Sequence, residues 1–244
     1  MANPAPLDPA VHTGLRVRNA PDLSMTEGQQ VLAVTVHEFS QVAIDCPIVF
    51  IKTSDNGQFQ PVILLGLAQN ENLMLQDGTW LGNYYPGALR LSPFKLIRLD
   101  SQSDRVTVGI DTDSKLVNDS EGEALFDGAG ELTEFMQNKR EQLENYFQQG
   151  QITQTFVSLL AEKELLVSQS LTMDIDGVQV RVDGIFLVDE KKLRELSDED
   201  VLDMNRRGFM QAVYAHLISL RQASRLARIK IESKRNSGPS IRGL

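Results

Sequence analysis

The sequence predicts an α+β fold: a largely antiparallel sheet with helices packed on one side, in a single compact domain. Three observations carry this. Short runs rich in β-branched residues, punctuated by Gly, Pro and Asn-Gly turns, fill the first half of the chain. From Glu131 the apolar period changes to three or four residues, the spacing of an amphipathic helix. Strands then return once, as a hairpin around Asp176-Gly177, rather than alternating with helices as a parallel sheet requires. At 244 residues and 41% hydrophobic composition, the chain can bury a core without disulfides or metals.

The elements follow in order. Residues 1–30, rich in Pro, Asn, Asp and Gly, read as an extended arm with a short strand at Leu15–Val17. The main domain is expected over 31–234, followed by a disordered tail at 235–244. "VLAVTV" (Val31–Val36) is a strand by β-branched content, and Phe39, Val42 and Ala43 mark a short helix that stops at Pro47. Ile48–Lys52 and Pro61–Leu67 pair as a hairpin across Asp55-Asn56-Gly57, and their unbroken apolar character predicts burial on both faces.

"NLMLQ", "GALRLS", "FKLIRL" and "RVTVGID" read as further strands. Leu132, Phe135, Met136, Leu143, Tyr146 and Phe147 line one helix; Gln149-Gly150 breaks it; and Phe156, Leu159, Leu160 and Leu165 line a second. In the later hairpin, Leu171, Met173 and Ile175 alternate opposite Val178, Val180 and Val182. Ser197 caps a terminal helix in which Leu202, Phe209, Val213, Leu217, Leu220, Ser224 and Ala227 recur, with Gly208 able to split it.

Composition excludes several classes of activity. The single cysteine, Cys46, rules out an internal disulfide framework and a thiolate metal cluster, and points to a reducing, cytoplasmic setting. No run approaches the ~20 apolar residues of a membrane span, and the first residues lack the pattern of a secretory signal. The formal charge of -9 opposes general nucleic-acid binding. That charge is uneven: from Arg221 onward seven basic residues face Glu232 alone, giving an acidic body a basic handle.

Catalytic motifs lack their parts. Three histidines, His12, His37 and His216, have no G-x-S-x-G elbow to serve. His37 and His216 with Glu38 make up a two-histidine, one-carboxylate set in composition, but without metal-site spacing. "DGAGE" (Asp127–Glu131) lacks a phosphate-loop pattern and reads as a helix-capping loop; "DIDG" lacks the acidic ladder of a calcium loop. No catalytic residue, metal ligand or cofactor is assigned. Two candidate partner-binding features remain: the loop Asp77–Arg90 with Trp80, Tyr84 and Tyr85, and the terminal helix with Arg221, Arg225 and Arg228. Each has a structural alternative, as a cap on the sheet and as a contact with the acidic body.

The blocks "CPIVFIK", "GQFQPVILLGLAQNENLML", "GTWLGNYYPGALRLSPFKL", "GEALFD" and "RGFMQAVYAHLISLRQASRLA" resemble the bacterial SapC family, also called SapC-like or S-layer-associated proteins, from about Leu15 to Arg228. The resemblance implies a link to surface-layer protein systems and their export, near tryptophan-halogenase-like and TonB-dependent-receptor genes, and brings no catalytic residues with it. Cys46 stands where the family commonly has an aromatic, which marks the position as a packing site. The favoured reading is a non-catalytic accessory or adaptor protein that binds a polypeptide, such as a surface or secreted protein. The alternatives are a metal-dependent enzyme modifying peptides or aromatic amino acids, with iron at His37 and His216, and nucleic-acid binding through the tail.

Overall fold

The computed structural model describes residues 4–53, 57–98 and 106–236. The turn residues Asp55 and Asn56, Leu99 and Arg105 at the ends of two expected strands, and the expected tail from 237 on lie outside them. Helices and antiparallel strands together make an α+β protein. Its contacts gather into two compact units of interleaved segments, residues 1–25 with 85–151 and residues 26–84 with 152–244.

In the first unit the arm is woven in by short strands. Ala5–Pro6 pairs with Val106–Ile110, which pairs with Phe94–Arg98, and Arg16–Val17 lies between Val117–Asn118 and Glu123–Ala124, all antiparallel. Val17, Phe94, Ile110, Leu125, Met136 and Leu143 are buried together beneath them. "GALRLS" departs from expectation: Gly87–Leu91 is one turn of helix, with the Leu89 N–H donating to Pro86 O at 2.9 Å. Leu89 and Leu91 are both buried, so their two-residue spacing mimicked a strand, while Ala, Leu and Arg after a proline favour the first turn of a helix.

The two helices expected on either side of Gly150 are one, Glu134–Glu162. A glycine there costs only ~1 kcal/mol relative to Ala, too little to end a helix whose flanks bury Met136, Leu143, Phe156 and Leu160. Phe147, placed on the apolar stripe from sequence, is exposed.

The second unit is built on a five-stranded antiparallel sheet in the order Leu166–Ile175, Val178–Val188, Ile48–Lys52, Phe59–Leu64, Val31–Ala33. Ile48, Val49 and Phe50 are fully buried, as are Ile63 and Leu64, which confirms two covered faces. The later hairpin joins this sheet with its predicted pairs: Leu171 opposite Val182, Met173 opposite Val180, Ile175 opposite Val178. Asp176 (φ 53) and Gly177 (φ 79) both take positive φ, the requirement of a tight type I′ turn. "NLMLQ" contributes only Leu75–Gln76, paired with Thr79–Trp80.

The terminal helix is divided. Asp198–Arg206, capped by Ser197, ends before Gly208 (φ 74), and Phe209–Ser219, a 3-10 turn at Leu220–Gln222 and Ala223–Asn236 follow. Leu202, expected in the apolar stripe, is exposed. Glu190–Arg194 is a further short helix, begun by the Asp189 carboxylate accepting from the N–H groups of Lys191 and Lys192. Phe39, Phe50, Phe156, Phe209 and the His216 ring meet edge-on in the core, with Phe156 and Phe209 centroids 5.2 Å apart.

Candidate functional site

The aromatic loop turns inward. Trp80, at 6% exposure, donates its Nε1–H to Tyr84 O at 3.0 Å, and the Tyr84 hydroxyl donates to Glu38 Oε1 at 3.2 Å. Beside them the buried Asp45 carboxylate accepts from the Asn83 backbone N–H (2.6 Å), the Asn83 side-chain amide (2.9 Å) and Arg225 (3.0 Å). Arg225 also donates to Asp45 O and Leu81 O, at 2.8 and 2.7 Å. Gly82 is required here, since a Cβ would stand 2.5 Å from Trp80 Nε1. Trp80, Tyr84 and Arg225 therefore form one internal clasp. Tyr85, counted with the first unit, is 37% exposed and its carbonyl accepts from Arg90.

His216 is fully buried between two strands. Its Nε2 accepts the Val188 N–H at 3.1 Å, which leaves Nδ1 to donate to Ile48 O at 2.8 Å. Both ring nitrogens are thus committed to backbone, and burial pushes the imidazole down to about 4, so it stays neutral. No lone pair remains for a metal, and His37 is exposed whereas His216 is fully buried. Among the described residues no group of three His, Cys, Asp or Glu could hold a metal ion. Burial beside Asp45 pushes the Cys46 thiol up to about 12, far from a reactive thiolate.

Ser219 completes the seating of this helix. Its hydroxyl accepts the Ile48 N–H at 2.8 Å and donates to His216 O at 2.6 Å. The helix side chains thereby hold both backbone groups of Ile48. Further along, Lys230 is ion-paired with Glu71 at 2.8 Å, both mostly buried.

The first unit has its own internal polar centre. Burial raises the Asp22 carboxyl, but hydrogen bonds from Ser24, Ser92 and Ser114 outweigh it and hold the group below its ordinary value. Lys139, buried and held down by burial and then by Arg90, donates to Arg90 O at 3.1 Å and sits over the Phe135 ring.

What faces outward is the other side of the terminal helices. Gln211, Tyr214, Ile218, Arg221, Ser224 and Arg228 succeed one another at three- or four-residue steps and are all exposed, Tyr214 at 52% and Ile218 at 66%. Among the described residues Arg221 and Arg228 enter no ion pair within 4.0 Å, in contrast to Arg225 and Lys230 on the same run. A cleft of about 270 Å³ opens at the start of this strip, lined by the buried Phe39, Phe209 and Ala212 and by the exposed Ile152, His37, Arg207 and Gln211. Sequence reasoning found Arg221 and Arg228 but missed Tyr214, Ile218 and the cleft. The signal for the first two was available, since Tyr214 and Ile218 each directly follow an apolar position it did read, Val213 and Leu217.

The fold defines an α+β scaffold whose polar loop groups are spent internally and whose open helical face joins apolar and cationic side chains. The chain belongs to the SapC family, whose model matches residues 7–226. No curated protein and no solved structure matches it. Among the described residues no helix is long and apolar enough to cross a membrane.

Proposed function

We propose that this SapC-family chain is a non-catalytic accessory protein of the cytoplasm that holds a polypeptide of a surface-layer or secreted-protein system. The observation that carries the reading is the strip from Tyr214 to Arg228, which leaves two large apolar side chains exposed beside Arg221 and Arg228, two exposed arginines that enter no ion pair among the described residues. Aromatic and arginine side chains are the residue types that dominate protein interfaces. Tyr85, exposed on the first unit, is a separate candidate contact, while Trp80, Tyr84 and Arg225 act as the frame that keeps the loop and its helix in place. Direct calorimetry between the purified chain and a surface-layer or secreted protein purified from the same cells tests the reading. Saturable binding with no chemical change in that protein is expected; absence of binding to it defeats the proposal.

A further inference from the structure

Resting on that reading, we infer that the polypeptide held is an acidic amphipathic segment, lying along Tyr214–Arg228 with one apolar side chain in the cleft beside Phe209 and its carboxylates on Arg221 and Arg228. Three features select this occupant. The cleft, at about 270 Å³, falls below the ~300–1,000 Å³ of sites that enclose a small molecule, and suits one inserted side chain with the rest of its chain outside. Ala215 lines the cleft and lies one helical turn from Ile218, so the insertion point runs into the exposed strip without a gap.

Charge gives the remaining selectivity. Arg221, in the 3-10 turn, and Arg228, in the helix that follows it, are both exposed seven positions apart, so two carboxylates of one ligand can pair with them. The whole chain carries -9, so a bilayer or a nucleic acid, which meets the entire molecule, is repelled; a short acidic segment within a Debye length of ~8 Å feels the local cations first.

The probe is a fluorescein-labelled, alanine-based helical peptide carrying one leucine and two glutamates, spaced as Ala215, Arg221 and Arg228 are, in forward and reversed sequence. Binding of one direction to the full chain is expected. Affinity should fall at least about tenfold in R221E/R228E and return when the peptide carries lysines in place of glutamates. Ala215→Phe, which fills the cleft without altering charge, should weaken binding by a similar factor; His37→Trp does the same from the exposed rim should the first variant melt early. Absence of binding at ~1 mM peptide, binding indifferent to both sets of variants, or capture of phosphatidylglycerol vesicles or duplex DNA in preference to the peptide overturns the inference. If the surface-layer or secreted protein binds but ignores R221E/R228E, only this inference falls. If the peptide binds and that protein does not, the proposed function falls and the chemistry of the strip stands.

Discussion

The Trp80–Tyr84 loop and the outer side of the Phe209–Asn236 helices use the same materials, aromatic rings beside arginine, in opposite ways. In the loop every polar handle is taken: the indole N–H by Tyr84 O, the Tyr84 hydroxyl by Glu38, and the Arg225 guanidinium by Asp45 and Leu81. On the helices Arg221 and Arg228 point into solvent beside Tyr214 and Ile218. Residue type therefore does not distinguish internal frame from exposed surface. What distinguishes them is whether the rest of the chain supplies a partner for each polar atom, because a buried group left without one costs more than its hydrogen bond returns.

That contrast predicts where stability and binding separate. Asp45→Ala removes the carboxylate from Arg225 and two bonds from Asn83, and should cost about 3–5 kcal/mol in urea denaturation, as when one partner of a buried pair is lost. An unchanged midpoint would mean the loop is only loosely attached.

Next in size is a pH effect. His216 is held at about 4 against an ordinary 6.5, so between those values the unfolded chain binds more protons than the native one. Its contribution is complete above pH 6.5 and is lost as pH falls toward 4, about 3 kcal/mol at 1.36 kcal/mol per unit. Asp22, held below its ordinary 3.8, keeps its contribution until the pH drops under that value and then through its own native range. Denaturation followed across pH 7 to 3 should show two successive losses, and a single loss below pH 4 would contradict the neutral, buried imidazole.

Gly82→Ala drives a methyl into the Trp80 indole and should cost ~1–3 kcal/mol. Smallest is Arg221→Ala with Arg228→Ala, expected to leave the melt within about 0.5 kcal/mol while partner binding is lost. A large loss of stability from this pair would show that those cations belong to the frame after all.

Local chemistry made much of the fold legible. The Asp176-Gly177 turn and its alternating arms gave the pairs of the later hairpin, because a two-residue turn fixes register. What short windows could not give was anything decided at a distance. Gly150 reads as a break until the burial of Met136 and Phe156 on either side is known. Gly87–Leu91 is too short for its period to separate helix from strand. Arg16–Val17 finds its neighbours a hundred residues on, at Val117 and Glu123, and each compact unit is assembled from separated segments, so no change of composition marks its edge. At the candidate site, Asp45 and Arg225 meet across 180 positions, which is why Trp80 and Arg225 looked as available from sequence as Arg228.

The grip of His216 and Ser219 on Ile48 works as a keyway. Turning the helix by one residue rotates it ~100°, which would strip the strand of both anchors and strand an imidazole and a hydroxyl among apolar neighbours. The inward lock thus dictates the outward display. Which side chains the Phe209–Ser219 helix shows to the world, Tyr214 and Ile218 among them, is decided by two small polar groups that never see it.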